Sequence, residues 1–524
     1  MSGQDQVLTS AQSATPATAD PLPSSIPSIP PVSAAAGQPS RPGAGHLDTV
    51  ETHTATLFFV GDRVYKIKKP VNLGFVDYRT RQARLAACEA EVRLNRRLAP
   101  DVYLGIGDIR DAAGTLHDHM VVMRRLPDER RLSSLVISGA RVQPQLRAIA
   151  RRLAVFHEQC QTSPEIARAG GLAALQALWL EGMMGVEPFR DLLDGEVVDE
   201  IGRLALRYLD GRAALFAERQ RAGRVRDGHG DLLAEDVFCL DDGPRILDCL
   251  EFDQRLRVGD VLGDVAFLAM DLERLGHPEA ARYFLDAYRE FSGETHPASL
   301  EHLYIAYRAF VRAKVAGIRD HQGEPGAADA ARELAAMALR HLRRGRVRLV
   351  LVGGLPGTGK STLSQGLADG ADGWVRIGSD AVRKGLAGLA AEQPAADAFG
   401  AGLYGPQPTE ATYSELMQRA RTALERGESV VLDASWTSGA HRQLAARIAT
   451  ETDADLVELC CVAPREVAAA RIARRAALGG DASDASIAVH AAMAVRNDPW
   501  PTAHEVPTTG PVDDAMRAVR ALVA

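Results

Sequence analysis

Residues 348–361 read RLVLVGGLPGTGKS, and this stretch decides the fold of the second half of the chain. Its apolar run at 348–354 has the pattern of a strand buried on both faces of a parallel sheet. The run leads into Gly354-Leu-Pro-Gly357-Thr358-Gly359-Lys360-Ser361, which satisfies the phosphate-loop pattern GxxxxGK[ST] in full. The glycines let backbone N–H groups turn inward as an anion nest. A helix opening near Lys360 aims its positive end at the phosphates. Lys360 can reach the β- and γ-phosphates as a compact charge, and the Ser361 hydroxyl can ligate Mg²⁺. Gly354, Gly357, Thr358, Gly359, Lys360, Ser361 and Thr362 are the candidate nucleotide-binding residues.

Working outward, VVLDAS (430–435) and LVELCCVA (456–463) are two further buried strands. Helical patterns at 360–368, 409–426, 439–450 and 464–478 separate them, so an α/β domain with a parallel sheet is expected. The change of character after Arg343-Arg344-Gly345 places a domain boundary at about 345, with the P-loop domain at 346–524. Asp380, in Ile377-Gly-Ser-Asp-Ala-Val-Arg383, can accept a proton from a substrate hydroxyl at the end of the second strand. Arg383, one helical turn on, can share the substrate or its phosphate. Ser379 or Asp380 can equally serve as a helix N-cap. Asp433 ends a strand, where a Mg²⁺-directed acid or an ordinary loop residue would sit. Arg471, Arg474 and Arg475 share one helix face, as a lid over the transferring phosphate or as a solvated basic face.

GLPGTGKST, SDxxRK, Tyr404 with Thr412-Tyr413, VVLDAS, and RxxxR followed by Ser483-Asp484-Ala485 together resemble a family of small P-loop kinases. The segment 346–500 is similar to zeta-toxin-like and polynucleotide-kinase-like proteins that phosphorylate hydroxyls. That resemblance implies Asp380 as the base and Arg471 and Arg475 as the lid arginines.

Before residue 345 the pattern differs. Residues 1–45 are rich in Pro, Ser and Ala and are expected to be a disordered tail. ATLFFV (55–60) and RVYKIK (63–68) flank a Gly61-Asp62 turn, a helix follows over 79–98, and a second hairpin spans 105–126. Residues 144–220 and 260–345 are helical by periodicity, with short apolar runs and Gly/Asp turns between 223 and 253. The segment Asp227-Gly-His229-Gly-Asp231-Leu-Leu-Ala-Glu-Asp236, with Asp248 seventeen residues beyond Asp231, resembles the catalytic loop and metal acid of aminoglycoside-phosphotransferase-like kinases. The resemblance implies Asp231 as the base, Asp236 and Asp248 as Mg²⁺ ligands, and Lys66 as the phosphate-gripping lysine. It also implies Glu91, with Glu89 as the alternative, as the ion-pair partner of Lys66. His157 is expected to be structural. Asp236 stands where the family usually has Asn, and no GxGxxG covers the nucleotide. Strand alternation puts Lys66 and Lys68 on one face and Lys69 on the other.

The expected organisation is a tail (1–45), an α+β protein-kinase-like two-lobed domain (46–345) and the P-loop domain. This order resembles a bacterial family of bifunctional aminoglycoside phosphotransferase/ATP-binding proteins. The whole chain has 524 residues, a formal charge of −7 and six cysteines without metal-site spacing. This composition fits a reduced, cytoplasmic protein with no membrane span and no general nucleic-acid binding, a polynucleotide end staying among the acceptors. Only six of its 61 basic residues are Lys, and four of those (Lys66, Lys68, Lys69 and Lys360) fall where a nucleotide phosphate is expected. The resulting expectation is an ATP- and Mg²⁺-dependent phosphotransferase acting on a hydroxyl acceptor from two nucleotide sites. The alternatives are an N-terminal pseudokinase that regulates the P-loop kinase, or an ATP-gated binding protein.

Overall fold

The computed structural model describes residues 48–52, 54–72, 76–370, 373–390, 393, 402–478 and 485–523. The expected tail and Ser483-Asp484 lie outside the described residues. The first sheet holds β1 (Asp48–Glu51), β2 (Ala55–Val60), β3 (Arg63–Lys68), β4 (Tyr103–Arg110) and β5 (Leu116–Arg124). Its order is β1-β2-β3-β5-β4, antiparallel throughout. The tight β2–β3 turn needs left-handed backbone, which Gly61 supplies at φ 58°. Helix Arg81–Asn95 begins where the Thr80 hydroxyl accepts from Ala83 N at 3.1 Å. Its inner face, with Cys88 and Val92, packs on Val64, Val121 and Met123 of the sheet and closes a small core.

The second lobe is helical. Helix Val261–Arg274 is its axis, with every residue from Val261 to Leu272 buried. Helices Gln143–Gln159, Pro278–Ser292, Ala298–His321 and Ala327–Arg344 also contribute to this lobe's core. Two small antiparallel pairs lie against these helices: β6 (Val225–Asp227) with β9 (Val258–Asp260), and β7 (Val237–Leu240) with β8 (Gly243–Ile246). They hold the 228–236 loop and Asp248 towards the first sheet.

After Arg344 comes a five-stranded parallel sheet: β10 (Arg348–Gly353), β11 (Val375–Gly378), β12 (Val430–Asp433), β13 (Asp455–Val462) and β14 (His504–Pro507). Its order is β11-β12-β10-β13-β14. All six residues of β10 are buried, as the continuous apolar run requires. Alternation sends Val350 and Val352 to one core with Leu363, Val431 and Leu459, and Leu349 and Leu351 to the other. That second core continues without a break into Leu342, Leu303 and Leu209 of the helical lobe. Polar contacts follow the same seam. Arg207 meets Asp455 at 2.6 Å, Ser299 Oγ donates to Gly427 O at 2.6 Å, and the buried Arg212 donates to Thr452 O. Among the described strands, β1, β9 and β14 lay outside the sequence expectation. β1 and β14 have four residues each and are largely exposed, so neither carries an apolar alternation.

Candidate active sites

The first candidate site forms between the antiparallel sheet and the helical lobe. Alternation on β3 puts Lys66 and Lys68 on the same face, where both meet Glu91 of the following helix. Lys66 Nζ lies 2.8 Å from Glu91 Oε1, and Lys68 Nζ lies 2.7 Å from Glu91 Oε2. Glu91 is fully buried. Burial opposes its ionisation, but the two lysines outweigh that and hold its carboxyl below the usual range. Lys66 also reaches Asp248 Oδ1 at 3.0 Å, and Lys68 reaches Glu251. Lys69, on the other face, pairs with Glu51 at 2.9 Å.

Asp248 has left-handed backbone, φ 61°, which is uncommon for a residue with a side chain and concentrates at functional sites. Its N–H donates to Tyr103 Oη at 3.3 Å, and the next N–H, of Cys249, donates to Asn95 Oδ1 at 2.8 Å. The 228–231 loop is held from below by Asp264. That buried carboxylate accepts from His229 N at 2.6 Å and Gly230 N at 2.8 Å, and its Oδ2 lies 3.3 Å from His157 Nε2. His157 Nδ1 lies 2.9 Å from the Tyr288 hydroxyl, which accounts for the histidine as an internal support. Burial pushes the Asp231 carboxyl up to about 6, with Asp248 and Glu235 adding to the rise against Arg312 and Arg308. Asp236 is pushed well above the usual range, by burial first and then by Asp248, Glu235 and Asp231. Several carboxylates thus crowd one cleft.

The second candidate site lies at the carboxyl end of β10. Gly354, Gly357 and Gly359 have φ 129°, 83° and 91°. A Cβ on Gly357 would stand 2.6 Å from Ala468 O, and one on Gly354 would stand 2.5 Å from Cys461 O. The loop is therefore left-handed and closely packed, as a backbone anion nest needs. Helix Lys360–Asp369 opens immediately after it, putting Lys360, Ser361 and Thr362 in its first turn. Lys360 Nζ donates to Leu355 O at 3.1 Å across the loop, and the Thr358 hydroxyl donates to the same carbonyl at 2.8 Å.

Around this loop the other expected residues are placed as follows. Asp433 ends β12, where its Oδ2 accepts from Ser364 Oγ at 3.0 Å and meets Arg376 at 2.5 Å. Asp380 is in the first turn of helix Ser379–Leu386. The N-cap of that helix is Gly378 with no side-chain cap bond, so the capping alternative for Ser379 or Asp380 is not what forms. Arg383 is buried, donates to Leu403 O at 2.8 Å and Thr409 Oγ1 at 3.2 Å, and lies over the Tyr404 ring. Arg471 donates to Gly357 O at 3.4 Å and to Thr508 O at 2.6 Å, which brings the lid-helix arginine onto the phosphate loop. Arg475 points to Ala485 O at 3.0 Å, and Arg474 is exposed.

Several supporting residues escaped the sequence reading. Thr508 Oγ1 donates to Thr358 O at 2.6 Å, and His490 donates to Pro356 O at 2.8 Å, so both brace the loop from distant segments. Neither has a local pattern. Asp264 did leave a signal: an acid within the mostly apolar run Val261–Leu272 must have partners.

Among the described residues, no helix is long and apolar enough to cross a membrane. A five-stranded antiparallel sheet with a helical lobe, followed by an α/β P-loop domain, is the class that this architecture defines. A protein-family model described as an AAA domain matches residues 349–499. An uncharacterized protein of Mycobacterium tuberculosis is 44% identical over 469 residues, which is 89% of this chain and 93% of the relative. An uncharacterized protein of Mycobacterium bovis matches over the same 469 residues at 44% identity. The chain belongs to the family of these mycobacterial proteins. Among solved structures, a choline/ethanolamine kinase family protein from Mesorhizobium loti is 15% identical, covering 57% of this chain and 93% of its own, with a TM-score of 0.35. A gluconokinase from Sinorhizobium meliloti is 17% identical, covering 34% of this chain and 93% of its own, with a TM-score of 0.25.

Proposed function

We propose that the protein is an ATP-dependent phosphotransferase with two nucleotide sites, each moving a γ-phosphoryl group to a hydroxyl of a small-molecule or nucleotide-type acceptor. The observation that carries this reading is the pair of phosphate-gripping lysines in built surroundings. Lys66 is anchored 2.8 Å from the buried Glu91, and Lys360 is set by a left-handed glycine loop at a helix N-terminus. In the first site, Lys66 would hold the α- and β-phosphates while Asp231 orients the acceptor hydroxyl. The acceptor oxygen bonds to the γ-phosphorus, the bond to the β–γ bridging oxygen breaks, and the proton passes to Asp231. In the second site Asp380 takes the base role, and Arg471 supplies positive charge beside the loop.

The donor sets suit magnesium. Asp236 and Asp248 would hold it in the first site, where Asp248 adds to the proton affinity of Asp236 and a divalent cation would relieve that charge. Ser361, with Asp433, would do so in the second. When bound, it offsets phosphate charge in the transition state.

Calorimetric titration with ATP and Mg²⁺ tests the reading. Lys360→Ala and Lys66→Ala should each remove one equivalent from the wild-type stoichiometry. A stoichiometry left unchanged by Lys66→Ala would remove the first site. A second reading, in which the N-terminal domain regulates the P-loop kinase, draws support from the hydrophobic core that the two share.

A further inference from the structure

A cavity of about 760 Å³ opens on the seam between the helical lobe and the parallel sheet. It lies at the amino ends of the strands, against Arg348 at the start of β10, Trp374 before β11 and Ser429 before β12. The phosphate loop is at their carboxyl ends, so the cavity is separate from both candidate active sites. Its volume is in the range of small-molecule sites.

Its charge is one-sided. Arg340, Arg343 and Arg344 project from the end of helix Ala327–Arg344, Arg346 lies just before β10, and Arg282 also lines the wall, while none of the described lining residues is a carboxylate. The buried Arg348 opens β10 and donates to Arg346 O at 2.9 Å and Arg343 O at 3.4 Å. Nearby carboxylates neutralise only part of this. Arg343 pairs with Glu200 at 2.6 Å, Arg346 with Asp455 at 2.6 Å, and Arg340 with Glu273 at 3.7 Å. Asp455 is shared with Arg207. Arg344 has no ion pair among the described residues. The surplus positive charge acts on its neighbours: burial and then Arg346 bring the Arg348 guanidinium down to about 10, and Arg344 adds to the forces holding His302 low. Guanidinium forks are suited to phosphate oxygens, which they take two at a time. Trp374 adds a half-buried indole on the same wall, the surface on which a base stacks.

We infer that this cavity is a third, non-catalytic site for a nucleotide carrying two or more phosphates, with the phosphates on Arg344 and Arg346 and the base on Trp374. Because its walls come from both domains, the ligand would bridge them. The site does not depend on either active-site assignment.

The test uses full-length protein carrying Lys66→Ala and Lys360→Ala, titrated with ATP by calorimetry. One equivalent should still bind. Adding Arg344→Glu should weaken it by about tenfold or more, the loss of one charge-assisted contact. Arg344 is exposed and unpaired, so an unchanged melting temperature will show that folding is intact. Trp374→Ala should weaken ATP but leave inorganic triphosphate unaffected. No binding to the double-lysine variant, or binding insensitive to Arg344→Glu, overturns the site. Triphosphate binding as tightly as ATP, or a single-stranded oligonucleotide binding much more tightly than ATP, overturns the nucleotide assignment.

Discussion

The Lys66 ammonium lies 3.0 Å from the Asp248 carboxylate, although 182 residues separate them. The contact ties the antiparallel sheet to the helical lobe across the cleft between them. Glu91 completes it from the other side, because it is shared by Lys66 and by the fully buried Lys68. A charge cluster of this kind has unequal responses to substitution. Losing the central acid leaves two buried cations facing each other, whereas losing an outer member leaves the rest paired.

Glu91→Ala should therefore destabilise the protein by about 3–5 kcal/mol, the cost of breaking a buried pair from one side. Glu91→Gln keeps the shape and should cost less. The folded carboxyl of Glu91 titrates below its ordinary value, so its contribution is present above the unfolded pKa and is lost as pH falls through the lower folded one. Thermal melts of wild type and Glu91→Gln from pH 7 to pH 3 should converge on acidification. Parallel curves would show that the pair does not carry the stability.

Asp231 has the opposite sign. Its folded carboxyl is raised from 3.8 to about 6, so the fold disfavours the ionised form. That penalty appears as pH rises from 4 to 6 and persists above it. Asp231→Asn should thus melt higher than wild type at pH 7. The same substitution should lower phosphoryl transfer at this site by about 10²-fold or more, the usual worth of a general base, while ATP still binds. In wild type the transfer rate should climb through pH about 6. A variant that loses activity and stability together would place Asp231 in the framework instead.

In the second site, two substitutions separate binding from folding. Among the described residues Lys360 Nζ donates to a loop carbonyl alone, so Lys360→Ala should cost ATP affinity with little change in melting temperature. Gly357→Ala should cost both, because its Cβ would stand 2.6 Å from Ala468 O at a φ of 83°. About 1–3 kcal/mol is expected for such forced backbone strain. Differential scanning calorimetry with and without ATP distinguishes the two, and equal melting temperatures for both variants would contradict the packed loop.

These contrasts also show how much could be read in advance. The P-loop, β10 and β12 were legible because a strand buried on both faces leaves a nearly unbroken apolar run, and glycines satisfy the loop. β13 was legible as a mostly apolar run, although only Leu459 and Cys461 of it are buried. The β2–β3 hairpin was legible from alternation and a Gly turn. Lys66 with Glu91, and Asp231 with Asp248, came from resemblance, and their meeting is a matter of tertiary geometry. Thr508, His490 and Arg376 were not legible, because each acts on a backbone or carboxylate far away in sequence. Alternation placed Lys68 on one face with Lys66 but did not show what it meets there. Only the position of Glu91 one turn inside its helix makes it a buried partner.

Acid should also act through two histidines. Burial lowers both His229 and His302 from 6.5 to about 4. Between those values the unfolded chain takes up protons that the folded chain refuses, so stability declines as pH falls from 6.5 to 4. His302→Gln should flatten that decline without touching either cleft. An acid limb identical to wild type would assign the lability to other groups.

The seam between the domains makes the last prediction. Leu349 and Leu351 of β10, with Tyr413 and Leu416 beyond them, share a core with Leu303, Leu342 and Leu209. Arg212 is 1% exposed there and donates to Thr452 O, and a Cβ on Gly211 would stand 2.5 Å from that same carbonyl. Residues 346–524 expressed alone would present this apolar sheet face to water, and faces of that extent drive aggregation. The fragment should be insoluble alone and should be recovered when co-expressed with residues 46–345. The full chain should melt in one calorimetric transition. Arg212→Ala, which removes a buried donor spanning the seam, should split or broaden that transition. A soluble fragment with a cooperative melt of its own would mean that the P-loop domain folds independently. Any regulation by its neighbour would then have to run through ligands and not through the shared core.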